Sequence, residues 1–264
     1  MPFPQAERVI FHRNPLDQVI CQLRFPPVLK IDAEIPAQFQ DKIRGEFPNF
    51  SEASEWNLEV STGVKAPIPP EILRQVIQSS GIRNYEFSSE EGTWKVNLTR
   101  TFIALTANKY ERWEKFKEKL VIPLTALVET YCPTYFSRIG LRYIDVIRRS
   151  TLNLDGSNWD ELLKPYILGI LAELQVGKNI QTFESKYEIR LSDGESSVKI
   201  VTKFVEPAHS DEICYMIDSD FYNNTKNDVN YAVQKLDYFN IRASRLIQWC
   251  MTDRLKQAME PHSL

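Results

Sequence analysis

The chain has 264 residues, of which 43% are hydrophobic and 25% charged, so it can bury a sizeable core and has the composition of an ordinary globular protein. A net charge of −3 gives no global electrostatic basis for binding nucleic acid or an anionic membrane. No segment approaches the roughly 18 apolar residues that span a bilayer, and the amino terminus lacks a secretory pattern, which predicts a cytoplasmic protein.

The first half of the chain predicts a strand, a helix, three strands and a long helix. Apolar and polar residues alternate in QVICQLRF, residues 18–25, as is typical of a strand. Pro36 is placed to open a helix, YEFSSEEGTWKVNL predicts a hairpin around Glu91-Gly92, and TFIALTA predicts a further strand. Residues 109–131 predict a long helix that Pro123 kinks or divides. Between these elements, residues 55–80 add a predicted strand and a short helix.

The second half repeats this order of elements. YFSRIGLRYIDVI, residues 135–147, predicts a strand, and residues 157–174 predict one or two helices that begin at Ser157 or Asn158. KYEIRLSDGESSVKIVTKFV predicts a hairpin around Asp193-Gly194, and EICYMIDSDFY predicts the next strand. An apolar stripe through residues 226–258 predicts a second long amphipathic segment.

Two short matches point to an internal repeat. Leu23-Arg24-Phe25 matches Leu141-Arg142-Tyr143 in the first strands, and Tyr85-Glu86 matches Tyr187-Glu188 in the hairpins. We therefore predict an α+β fold of tandem duplicated β-α-β-β-β-α units. These would form a mainly antiparallel sheet with two long helices on one face, as in saddle and helix-grip folds. The prediction is a single domain over residues 1–264, with one repeat at 15–132 and the other at 133–260.

Three stretches resemble a family of uncharacterised prokaryotic proteins that occur sporadically: NPLDQVICQLRFPP, WKVNLTRTFIALTANKYERWEKF and YFSRIGLRYIDVI. The resemblance runs over most of the chain, but it implies no established activity, cofactor or site. A sporadic distribution suits accessory roles in defence against phage or in toxin–antitoxin pairs. An antitoxin-like or defence-associated component is therefore one interpretation.

The motifs of several enzyme classes are missing from the sequence. Neither GxxxxGK[ST] nor GxGxxG occurs, which disfavours P-loop and Rossmann nucleotide binding, and neither HExxH nor GxSxG occurs. The four cysteines never form a CxxC pair, which disfavours zinc fingers and thioredoxin-like chemistry, and Cys21 and Cys214 are expected to be buried free thiols. His209, near Asp211, is the one histidine placed for catalysis, but a solvated loop is the simpler interpretation.

Two acidic residues are weak candidates for a metal site. Asp218 and Asp220 are two apart on a predicted strand and so share a face, where carboxylate oxygens suit Mg²⁺. No third acidic residue follows at useful spacing, so the sequence predicts neither a metal ion nor a cofactor. An enzymatic interpretation, a metal-dependent hydrolase or nuclease, would use Asp145 together with this pair.

Arginines on the first strand of each half are the main binding candidates. Gln22 and Arg24 are predicted on the sheet face away from the long helices, and Arg138 and Arg142 share a face of their strand. Cross-strand pairing of Arg24 with Glu86, and of Arg142 with Glu188, is one interpretation. The other is that the arginines hold an anionic ligand or partner, with Gly140 permitting close approach.

From these patterns the sequence predicts a non-catalytic binding or regulatory protein. It would engage a protein partner, a second copy or an anionic small ligand through the sheet face or the groove between the repeats. Net charge does not point to nucleic acid, and no membrane partner is expected. The hydrolase and the antitoxin-like roles stay as alternatives.

Overall fold

A computed structural model describes residues 2–53, 83–207 and 210–263. The strand and helix predicted within residues 55–80 and the candidate His209 lie outside the described residues. The chain forms two compact units. Unit 1 comprises Met1–Leu16, Tyr143–Phe221 and Asp237–Leu264, and unit 2 comprises Asp17–Arg142 and Tyr222–Leu236.

The fold is α+β, with a large, mainly antiparallel sheet. Its nine strands are β2 Leu16–Arg24, β3 Asn49–Ala53, β4 Asn84–Ser88, β5 Trp94–Leu98, β6 Phe102–Ala107, β7 Arg138–Ile147, β8 Glu184–Arg190, β9 Ser196–Val205 and β10 Cys214–Asn223. They follow the order β3-β4-β5-β6-β2-β7-β10-β9-β8 across the sheet. Two further strands, β1 (Val9–Phe11) and β11 (Pro261–Ser263), pair with each other in an antiparallel ribbon. The strands and both hairpins that the sequence predicts within the described residues are confirmed.

Several short helices and two long ones accompany the sheet in the described residues. The short helices are α1 Lys30–Ala33, α2 Ala37–Ile43, α4 Trp159–Leu162, α5 Pro165–Leu168, α6 Leu174–Gly177 and α8 Asp253–Ala258. The long helices are α3 (Trp113–Tyr131) and α7 (Ala232–Cys250). No described helix is both long enough and apolar enough to cross a membrane.

In unit 2, helices α2 and α3 pack on one face of the sheet. Trp94 of β5 lies against Phe116 of α3, with ring centroids 5.7 Å apart, and Phe39 of α2 lies 5.4 Å from Phe87 of β4. Helix α3 runs without a break through Pro123, so the proline does not divide it. An interior proline costs a helix about 3 kcal/mol. Burial of the long apolar face of α3 offsets this cost.

Unit 1 shows how local signals set the ends of its elements. Asn158 and Glu161 form a capping box at the start of α4, and Gly194 adopts a positive φ of 75° in the turn between β8 and β9. The second amphipathic segment is not one helix, because α7 ends at Cys250 and Thr252 caps the start of α8. Phe239 of α7 packs on Phe221 of β10, with ring centroids 6.3 Å apart.

Candidate anion-binding site

The register of unit 2 places Gln22 and Arg24 on the sheet face opposite α3. Val19 pairs with Ala107, and Ala107 pairs with Trp94, whose ring contacts α3. Side chains alternate between the two faces of a strand, so the even-numbered residues of β2 point away from this helix. With respect to α3, this is the face that the sequence predicts for both residues.

Two guanidinium groups converge on one amide in this face. Gln22 Oε1 accepts a hydrogen bond from Arg24 Nε at 3.0 Å and another from Arg138 Nη1 at 3.3 Å. Guanidinium groups only donate hydrogen bonds, so this contact fixes the amide oxygen toward the arginines. Three of the four predicted binding residues are therefore in contact through a single acceptor.

The other end of the Gln22 amide has no acceptor among the described residues. Gln22 is only 5% exposed, and its Nε2 atom is buried without a hydrogen-bond partner there. A buried polar group left without a partner costs about 1–3 kcal/mol, so this donor would gain from an acceptor. Arg24 and Arg138 are partly exposed and therefore within reach of a ligand.

The side chain of Arg138 lies across Gly140 and above an aromatic ring. A Cβ atom built on Gly140 would stand 2.1 Å from Arg138 Nη1, so only glycine leaves room for the guanidinium here. The Arg138 guanidinium carbon lies 5.3 Å from the centroid of the Tyr222 ring, a cation–π distance. Gly140 thus accommodates a side chain of its own strand. Tyr222 was not among the sequence candidates.

Arg142 differs from the other two arginines of the predicted group. It is buried, with 7% of its surface exposed, whereas Arg24 and Arg138 are partly exposed. The hydrogen bonds that define the Gln22 contact come from Arg24 and Arg138. We therefore define the Gln22 site as Gln22, Arg24, Arg138, Gly140 and Tyr222, all of unit 2.

The predicted pairing of these arginines with the hairpin glutamates is wrong. Strands β5 and β6 lie between β4, which holds Glu86, and β2, and strands β10 and β9 lie between β7 and β8, which holds Glu188. Three strand spacings amount to roughly 14 Å, beyond the reach of a direct ion pair. Glu86 instead pairs with Lys95 of β5 at 3.1 Å.

Burial is the main influence on the pKa of Cys21, the residue before Gln22 in the chain. Burial strongly raises the pKa of the Cys21 thiol, and the positive charge of Arg138 opposes that shift only in part. The Cys214 thiol is also buried, and burial raises its pKa to about 11. Both are buried free thiols, as the sequence predicts, and their raised pKa values keep them neutral near pH 7.

The candidate carboxylates lie in unit 1. Asp145 of β7 is 4% exposed, and burial together with the nearby charge of Asp218 on β10 raises its pKa to about 8. Within residues 2–53, 83–207 and 210–263, no three histidine, cysteine or acidic side chains cluster closely enough to hold a metal ion. Asp145 and Asp218 are thus neighbours, and Asp220, close to Asp218 in the chain, adds no such cluster.

Comparison with known proteins adds no family to this picture. No family model matches the chain, and no protein of curated function is similar to it in sequence. The resemblance to a sporadic prokaryotic family stays an expectation from sequence.

Replacing Gly140 by alanine is expected to disturb the Gln22 site while leaving the fold stable. The new methyl group would occupy the place of the Arg138 guanidinium, which must then leave Gln22 Oε1. Because the clash involves the end of a flexible side chain, the free energy of unfolding should fall by no more than about 1 kcal/mol. Urea unfolding checks this value, and a loss above about 3 kcal/mol would contradict the placement of Arg138.

Proposed function

We propose that this protein is a non-catalytic binding protein whose Gln22 site holds a small anionic ligand. The observation that carries the proposal is the convergence of Arg24 and Arg138 on a single amide oxygen. Both guanidinium groups are partly exposed, so an anion could reach the two of them together. Planar guanidinium groups also match the geometry of carboxylate and phosphate oxygens.

The Gln22 amide would contribute selectivity to this site. Its Nε2 atom has no acceptor among the described residues, so a ligand oxygen that reached it would gain a hydrogen bond, while the arginines supply the charge. A ligand lacking that oxygen would leave the donor unsatisfied and bind more weakly. The site therefore favours a compact molecule with at least two acceptor oxygens, such as a carboxylate or a phosphate ester.

We also propose that the fold arose by duplication and that the site lies where the two repeats join. The strand order supports this, because each first strand, β2 or β7, neighbours the last strand of its own half, β6 or β10. The hairpin strands follow outward in both halves, and β2 and β7 are adjacent. On this alignment Arg24 corresponds to Arg142, whereas Arg138 corresponds to Ile20 and would be particular to the second repeat.

Calorimetric titration of the full chain tests the ligand proposal. The panel is inorganic phosphate, citrate and ATP, with Mg²⁺ alone as the arm that would favour a metal-dependent enzyme. We expect an anion of this panel to bind, and either Arg24→Met or Arg138→Met to weaken it about tenfold or more, as for loss of a charged hydrogen bond.

Arg44→Met is the matched control, because Arg44 is an exposed arginine of unit 2 outside the Gln22 site. It should bind the same anion as the wild type. Equal weakening in the control would show a general charge effect and remove the support for this site. Binding of Mg²⁺ alone, with no anion bound, would favour the hydrolase alternative.

A further inference from the structure

The strand β8 forms one edge of the nine-stranded sheet in unit 1. It pairs with β9 on one side, and no other described strand pairs with it. Five of its seven residues are exposed and none is buried. An exposed edge presents a row of backbone donors and acceptors to another strand.

The backbone hydrogen bonds beside β8 show which residues face outward. Leu191 N donates to Ser196 O at 2.8 Å, and Phe204 N donates to Phe183 O at 3.2 Å, so the odd-numbered residues Phe183 and Leu191 direct their backbone groups toward β9. Along an antiparallel strand, successive residues direct their backbone N–H and C=O groups alternately toward one side of the strand and toward the other. The outward backbone groups therefore belong to the even-numbered residues, which are Glu184, Lys186, Glu188 and Arg190.

The side chains of these four residues alternate in charge. As a result, β8 is complementary in charge to an antiparallel copy of itself. If a second β8 lies antiparallel to the first with the two Tyr187 residues opposite each other, Glu184 faces Arg190 and Lys186 faces Glu188. Each of these pairs also has both backbone groups pointing across the junction. Such a strand pair would form roughly eight backbone hydrogen bonds along with opposite-charge contacts.

Neighbouring registers are disfavoured by the same residues. A shift of two residues one way places Glu184 opposite Glu188 and Lys186 opposite itself, and the other way it places Glu188 opposite itself. A shift of one residue would turn the backbone groups of one strand away from the other. Charge and backbone direction thus select one register.

The opposite face of β8 adds apolar contact to this pairing. Tyr187 stands opposite Ile200 and Ile189 opposite Val198 in the β8–β9 register, and these β9 partners are buried. Tyr187 itself is 40% exposed. The two Tyr187 side chains would meet as a pair without backbone hydrogen bonds, the arrangement in which side chains approach most closely.

The strand at the other edge of the sheet lacks this pattern. Strand β3 pairs with β4 and reads NFSEA, with Glu52 as its single charged residue. A symmetric pairing of β3 would bring Glu52 opposite Phe50 and produce no ion pair. Self-complementary charge is therefore a property of β8.

We infer that β8 is the contact strand of a symmetric homodimer, in which two copies of this chain join edge to edge with Tyr187 at the twofold axis. The partner is a second copy because each outward charge finds its opposite in the same sequence. A twofold contact of this kind closes on itself and leaves no free β8 edge. This inference does not depend on the ligand proposed for the Gln22 site.

Two charge reversals test the dimer. Lys186→Glu places two Glu–Glu pairs in the junction, and Glu188→Lys places two Lys–Lys pairs there. Sedimentation velocity of the full chain, from about 5 µM to about 500 µM, should show a wild-type dimer and at least about tenfold weaker association of each variant. Lys178→Glu, an exposed change of the same charge in unit 1, should leave the dimer intact.

Mixing the two variants gives the decisive measurement. In a mixed pair the acidic side chain introduced by Lys186→Glu would face the basic side chain introduced by Glu188→Lys, so opposite charges meet again. The equimolar mixture should therefore recover dimers that neither variant forms alone, and recovery also shows that both variants are folded. A monomeric wild type, variants that dimerise as the wild type does, or a mixture that stays monomeric would each overturn the inference.

Discussion

Replacing Asp145 by asparagine is expected to stabilise the protein by about 2–5 kcal/mol at pH 9 and to change its stability little near pH 4. Asp145 is buried in unit 1, where burial and the nearby charge of Asp218 raise its pKa to about 8 from the ordinary value of 3.8. Ionising this carboxyl inside the folded protein is therefore unfavourable, and asparagine removes the ionisation.

The sign of the pH dependence follows from where the proton is bound. Below about pH 4 the carboxyl is protonated in both states, and Asp145 gives no pH-dependent penalty. Between about pH 4 and pH 8 the unfolded chain releases the proton while the folded protein keeps it, so stability falls as the pH rises. Above about pH 8 both states are ionised and this contribution levels off.

Urea unfolding at a series of pH values measures this effect. The wild type should lose stability from about pH 5 to about pH 8 relative to Asp145→Asn, and the difference between the two should grow with pH. Asp155→Asn is the control, because Asp155 is an exposed aspartate of the same unit. Parallel pH profiles for the wild type and Asp145→Asn would contradict a raised pKa at this position.

Local chemistry explains why the order of elements could be predicted from sequence. The second hairpin is an example, because Asp193 Oδ1 accepts hydrogen bonds from the backbone N–H groups of Glu195 and Ser196, and Gly194 adopts the left-handed conformation. Both features depend on residues within the turn itself. Such local signals determine where a strand ends, and they do so independently of which other strand it pairs with.

The order of strands in a sheet does not follow from local sequence. The predicted pairs between the arginines and the hairpin glutamates were wrong because they depended on that order. Glu86 and Glu188 lie in similar motifs of the two hairpins, which suggested partners for the arginines. Their strands lie three positions away in the sheet, because the last strand of each half inserts between the first strand and the hairpin. No pattern within a single strand encodes that insertion.

The Gln22 site shows the same division between local and tertiary information. Alternation along β2 correctly gave the face of Gln22 and Arg24. The approach of Arg138 to Gln22 depends on pairing across 116 positions of sequence, and its contact with Tyr222 depends on a further strand. Gly140 was the feature of the sequence that indicated this contact, because glycine inside a strand often marks the close approach of another group to the backbone.

Replacing Phe116 by alanine is expected to lower the free energy of unfolding by about 3–5 kcal/mol. Phe116 is fully buried in unit 2, and its ring lies 5.7 Å from Trp94 of β5, 5.7 Å from Trp113 and 6.1 Å from Tyr110. Its removal would leave a cavity beneath helix α3 that these large rings cannot fill without leaving their rotamers.

Phe50→Ala is the matched control for this substitution. Phe50 also contacts two aromatic rings, Tyr85 and Phe87, but it is 43% exposed on the edge strand β3, so its loss should cost about 1 kcal/mol. Urea unfolding followed by far-ultraviolet circular dichroism compares the two variants. Equal losses would contradict the assignment of Phe116 to the buried core beneath α3 and of Phe50 to a half-exposed position at the edge of the same face.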